Sequence, residues 1–167
     1  MAFATRDGGE LGPRAARVIE RVEWPGKPGV AAVTPLTPEE NLRFDAGHRV
    51  YANICQACHQ PDGRGQDKLA PSLIGSVLAL APGGVTARIL LNGKEGATGL
   101  MPPLGMTLSD EEIAAVLTYV RREWGQTGSP VDAPTVKNVR ALTADRRRPW
   151  TNGELLALAA GGAGQRQ

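Results

Sequence analysis

The chain is short of several residue types. Of its 167 residues two are cysteine, two are histidine, and aromatic side chains make up 4%. No apolar run approaches the roughly 20 residues needed to span a bilayer, so no transmembrane helix is predicted. The formal net charge of +2 is small, and no dense basic face interleaved with aromatics marks a nucleic-acid footprint. Residues 1–36 carry five basic and four acidic groups, residues 37–128 eight and ten, and residues 129–167 six and three. Met1 to Glu10 lacks the basic-then-apolar order of a secretory signal. The chain therefore reads as a mature protein or a piece of a longer one.

Both cysteines fall in one run, Cys55-Gln56-Ala57-Cys58-His59. A Cys-x-x-Cys-His run is the attachment signature of a c-type haem. Its two sulfurs form thioethers with the porphyrin vinyl groups, and the histidine ligates the iron from below. On a helical turn, positions i, i+3 and i+4 share a face, so Cys55, Cys58 and His59 can reach one flat ligand. A zinc site would need further Cys or His ligands at suitable spacing, and only His48 is left over. A redox dithiol would need a βαβ context, whereas these flanks read as helix and Gly/Pro-rich loop. No thiol remains for a disulfide. Apolar content is 41% with two Phe, two Tyr and three Trp. A porphyrin, itself a large apolar plate, would relieve that shortage, so the core is predicted to collapse around it.

Three parts can be separated. Residues 1–36 form an N-terminal arm and linker, with one helical candidate over Arg14–Trp24. Its Ala15, Val18, Ile19 and Val22 follow helical spacing, and Pro25-Gly26 stops it. Residues 37–128 form the compact unit. Thr37-Pro38-Glu39-Glu40 is a capping box with proline at the first helical position. It opens a helix predicted to run to about Ile54 and into the Cys-x-x-Cys-His run. Residues 60–85 read as loop, Val85–Asn92 as a short helix stopped by Gly93, and Leu100–Leu108 as a proline-stiffened loop. Ser109 and Glu112 cap a last helix, and Leu108 and Ile113 staple it. Ile113, Val116, Leu117, Val120 and Trp124 give it one apolar stripe, and Gly125 is its predicted stop. Residues 129–167 read as a tail. It has a short helix near Val136–Leu142, another over Leu155–Ala160 opened by Thr151 and Glu154, and a frayed end from Gly161.

An electron-carrying haem needs a second axial ligand. His48 lies on the incoming helix, which cannot bend that ring to the opposite porphyrin face, so His48 reads as a surface or packing residue. Methionine supplies a soft thioether. Met101 begins Met101-Pro102-Pro103, and the two prolines would hold its sulfur on a stiff loop. Met106 sits close to the last helix cap. Either could instead fill core volume.

Residues 43–125 resemble a class I cytochrome c. Gly47 and Tyr51 precede the motif where that family places a small residue and an aromatic. Gly63-x-Gly65 follows it, Ala70-Pro71-Ser72-Leu73 matches the family's proline segment, and Met101-Pro102-Pro103 matches its distal-ligand loop. Ser109 to Arg121 matches its final helix. The resemblance implies an all-α cytochrome c fold. In it the N- and C-terminal helices cross around one covalently bound haem, with Tyr119 and Leu117 as contacts for Gly47 and Tyr51. It also implies that the Pro71 carbonyl orients His59, that His59 and Met101 ligate the iron, and that attachment takes place outside the bacterial cytoplasm, in the periplasm. With both arms included, the chain is similar to cytochrome domains of larger bacterial dehydrogenases. The implied function is one-electron transfer between redox partner proteins, a donor dehydrogenase and an acceptor oxidase or cytochrome. The alternative is an electron-accepting module of a quinoprotein-type dehydrogenase. A haem enzyme or gas sensor would need an open iron site. Arg146-Arg147-Arg148-Pro149-Trp150 reads either as a turn anchored by Trp150 or as a docking patch for an acidic redox partner.

Overall fold

The computed structural model describes residues 33–96 and 99–163. The helix predicted over Arg14–Trp24 lies outside the described residues. The chain divides into Met1–Pro35 and Leu36–Gln167, and the candidate site lies wholly in the second unit.

Helix α1 spans Pro38–Val50. The Thr37 amide donates to Glu40 Oε2 at 2.7 Å, and the Glu40 amide donates to Thr37 Oγ1 at 3.2 Å. Orphan amides at both ends of the box are thereby satisfied. The predicted unbroken helix to Ile54 is interrupted. Tyr51–Cys55 forms a π turn in which the Gln56 amide reaches the Tyr51 carbonyl, and α2, Gln56–His59, follows. Such widened turns insert an extra residue and recur at functional sites.

Helix α3 spans Gly83–Asn92, two residues longer at its start than predicted, and stops at Gly93 with φ +78°. A Cβ on Gly93 would come within 2.8 Å of the Met101 carbonyl oxygen, so the stop also lets two chain segments meet. Strands β1, Lys94–Gly96, and β2, Gly99–Met101, pair antiparallel. The start of the predicted loop is thus a strand. Three residues are too few to show an alternating pattern.

Helix α4, Asp110–Arg122, carries the second predicted capping box: Ser109 N–H donates to Glu112 Oε2 at 2.9 Å, and Glu112 N–H to Ser109 Oγ at 3.2 Å. Leu108 and Ile113 are both buried. The helix ends before the predicted Gly125 stop. The Gln126 side-chain amide donates to the Val120 carbonyl and the Gly128 amide to the Arg121 carbonyl, so the terminal carbonyls are claimed early.

Helices α1 and α4 cross at Gly47. A Cβ there would lie 2.0 Å from the Ala115 carbonyl oxygen and 2.8 Å from Tyr119 Cβ. Only glycine permits this approach. Tyr119 then gathers Phe44, His48, Tyr51 and Trp124, with ring centroids 5.1–5.7 Å away. Tyr119 is the contact the resemblance implies. Leu117 is buried in the core, and Ala115 takes the place against Gly47.

Helices α5, Ala133–Leu142, and α6, Asn152–Ala163, occupy the region read as a tail. Val131, Val136, Val139 and Leu155 from this region belong to the same buried cluster as Ile113, Val116 and Leu90. Among the described residues the fold is mostly helical, with one small hairpin.

Candidate haem site

The π turn and α2 carry Cys55, Cys58 and His59 on consecutive turns. Cys55 is half-buried, Cys58 is exposed, and both are free thiols. Burial, and secondarily Cys58 nearby, raises the Cys55 pKa to about 11. Tyr51, which starts the π turn, is buried in the core, and its hydroxyl donates to the Gln60 carbonyl at 2.6 Å. Gln60 takes a positive φ of 62°. That turns the chain sharply after His59 and fixes where the imidazole stands.

The loop after His59 is tied back on itself. The Gly65 amide donates to the His59 carbonyl at 2.9 Å, the Gln66 amide to Ala70 O at 2.9 Å, and the Leu73 amide to Gly63 O at 2.8 Å. Gly65 has φ +75°, and a Cβ there would lie 2.2 Å from the Ala70 carbonyl oxygen. This tight weave brings the Pro71 carbonyl to 3.3 Å from His59 Nδ1. A carbonyl can only accept, so Nδ1 carries the proton and Nε2 keeps its lone pair. Burial lowers the His59 pKa, with the Pro71 bond opposing it. The neutral ring thus presents one nitrogen as a metal donor.

Met101 and Met106 are placed differently. Met101 ends β2 and is packed, half-buried, against the core cluster. Met106 is fully exposed at 101%. His48 is exposed on α1, stacked near Tyr119 at 5.2 Å. Trp150 is half-buried, its indole N–H donating to Asn92 Oδ1 at 3.2 Å, so it anchors the tail. Arg146 stacks over that ring at 3.4 Å and pairs with Glu154 at 2.9 Å, whereas Arg147 and Arg148 are exposed.

The donor set suits a haem. It offers two thiols and an imidazole on one short stretch, with the imidazole tautomer fixed by a backbone carbonyl, as a ligating histidine requires. Among the described residues, no group of three or more His, Cys, Asp and Glu is placed to hold a bare metal ion. Nor is any of their helices long and apolar enough to cross a membrane. Sequence reasoning missed the hairpin and two arginines, Arg121 and Arg140, whose guanidinium groups join segments remote in sequence. An isolated arginine on a helix carries no local signal of such a role.

Fold and site together define a haem-binding electron-transfer domain. Residues 43–120 match the family described as cytochrome C oxidase, cbb3-type, subunit III. The chain is 34% identical over 110 residues to cytochrome c-552 of Thermus thermophilus, covering 59% of this chain and 79% of that protein. It is 35% identical over 143 residues to the fructose dehydrogenase cytochrome subunit of Gluconobacter japonicus, covering 76% of this chain and 29% of that protein. A third similarity, 33% over 113 residues, is to the gluconate 2-dehydrogenase cytochrome c subunit of Pantoea cypripedii, covering 59% of this chain and 24% of that protein. The chain belongs to the cytochrome c family. It spans less than a third of the two dehydrogenase cytochrome subunits named here.

Proposed function

We propose that the chain holds one haem c through thioether bonds from Cys55 and Cys58, with His59 and Met101 as axial ligands. It carries electrons singly between redox partner proteins in the periplasm or another extracytoplasmic compartment. The observation that carries this reading is the turn bearing both thiols and His59, whose Nδ1 faces the Pro71 carbonyl. When bound, the haem iron supplies a one-electron couple: one electron enters from a donor and one leaves to an acceptor. Pro71 holds the His59 proton on Nδ1 and so aims Nε2. The Met101 thioether, a neutral donor, would raise the potential. The imidazole and the thioether that would hold the iron are both neutral donors, so neither side chain would change charge with the oxidation state.

Met101 is favoured over Met106 because its side chain is already held by the core, while that of Met106 lies wholly in solvent. Met101→Ala should remove the iron–thioether charge-transfer band of the oxidised protein and open the reduced protein to carbon monoxide. Met106→Ala should do neither. The opposite pattern would transfer the role to Met106. Rapid carbon monoxide binding by the unaltered reduced protein would replace the carrier reading with that of a haem enzyme or gas sensor.

A second reading has its own support. The similarity to the fructose dehydrogenase cytochrome subunit covers 76% of this chain, against 59% for the small cytochrome c-552. That wider match favours a module accepting electrons from a larger dehydrogenase.

A further inference from the structure

The C-terminal segment and the hairpin form one ladder. Lys94 pairs with Met101 in the β1–β2 register and, on its other side, bridges in parallel to Trp150. The Trp150 amide donates to Gly93 O at 3.0 Å, and the Glu95 amide donates to Trp150 O at 2.9 Å. The strand that carries Met101 is therefore one rung removed from Trp150. Gly93 lies between both neighbours: it accepts from Trp150, and a Cβ on it would come within 2.8 Å of the Met101 carbonyl oxygen.

The same segment grips the other end of the loop. Arg140 on α5 donates Nε to Asp110 Oδ1 at 2.7 Å, Nη2 to Leu108 O at 3.0 Å, and Nη1 to Gly105 O. One planar guanidinium thus fixes the approach to α4, where five donors in a rigid fork suit several acceptors at once. Between these two grips, the Leu104 amide donates to Leu90 O at 2.7 Å.

We infer that residues 133–150 brace the distal methionine loop, with Trp150 and Arg140 as positioning residues for Met101. This rests on Met101 being the distal ligand. Both hold main-chain groups that flank the loop: Gly93 and Glu95 before it, Leu108 after it. They act by removing the alternative loop positions in which the sulfur has swung away. In a two-state view, the apparent affinity of an added ligand scales with the fraction of molecules whose methionine has left. Loosening the brace raises that fraction.

The test uses full-length holoprotein and imidazole as the added ligand, titrated into the oxidised form while the iron–thioether band is followed. Trp150→Ala removes the ring that packs on the core beneath Arg146, and Arg140→Gln removes guanidinium hydrogen bonds to Asp110 and Leu108; each should bind imidazole about tenfold more tightly than the unaltered protein. Trp150→Phe keeps an aromatic ring on the core while losing the indole bond to Asn92, and should restore most of the difference, as should Arg140→Lys in part. Arg147→Ala, at an exposed site, should change nothing. Should an alanine or glutamine variant yield no holoprotein, the Phe and Lys variants still decide, by a smaller tightening. A lowered melting temperature with unchanged imidazole affinity would overturn the brace and leave only a stabilising role. An unaltered protein without the band would instead remove the Met101 assignment beneath it, a distinct result.

Discussion

On the His59 side, the site is assembled from neighbours in sequence. Cys55, Cys58, His59 and Pro71 lie within one short stretch, and the hydrogen bonds that set their geometry run between Tyr51 and Leu73. On the Met101 side, the partners come from far away. Leu90 and Gly93 precede the loop, while Arg140 and Trp150 follow it by tens of residues. The difference teaches that the His59 side draws these bonds from one stretch of sequence, the turn and the loop that follows it. The loop bearing Met101 takes its hydrogen bonds from segments that meet only in the folded chain.

The sharpest way to break this comparison is at the crossing both halves share. Gly47→Leu would force a side chain into the Ala115 backbone, where even a Cβ sits 2.0 Å from an oxygen. We expect a loss of at least about 3 kcal/mol, enough to leave little folded protein, measured as cooperative thermal unfolding. A stable variant would show that the helices can separate without harm to either half.

Next comes Arg121, which is buried at 4% exposure and ties the Ala79–Ala81 stretch and Ser129, at the start of the C-terminal segment, to α4. Its Nε donates to Ser129 O at 2.6 Å and its Nη1 to Ala79 O at 3.0 Å and Ala81 O. Burial lowers its pKa, and main-chain carbonyls accept its hydrogen bonds. Arg121→Leu strands those carbonyls and should cost about 2–4 kcal/mol in denaturant unfolding. A change of a few tenths would mean that water takes over the carbonyls without penalty.

The smallest effect isolates the C-terminal segment. Asp132 caps α5, accepting from the Thr135 amide at 2.9 Å. Its carboxyl is held below the ordinary value, chiefly by Thr135 and more weakly by Arg43. The cap's contribution is therefore present above the usual aspartate range and fades as pH falls through the lowered value. Asp132→Ala should cost about 1 kcal/mol at neutral pH, and the gap from the unaltered protein should close in strong acid. A gap independent of pH would show that the lost group does not act as a carboxylate.

The same division separates what was legible in the sequence from what was not. Cys55, Cys58 and His59 announce themselves by spacing, and the Thr37 and Ser109 boxes fix two helix starts, because each signal is local. The π turn at Tyr51–Cys55 was missed because it adds one residue to a helix without changing its composition. The hairpin was missed because its strands are three residues long and one is braced by Trp150, over fifty residues away. The tail showed two helices but not their burial. The stripe of Val136 and Val139 acquires meaning only beside the core it meets.

The central claim is that one haem is joined to this polypeptide through Cys55 and Cys58. Intact mass spectrometry of matured protein, before and after acid–acetone extraction, tests it most directly. The account predicts a chain heavier by one haem that keeps both mass and colour through extraction. A bare-chain mass, or pigment that passes into the acetone, would contradict it.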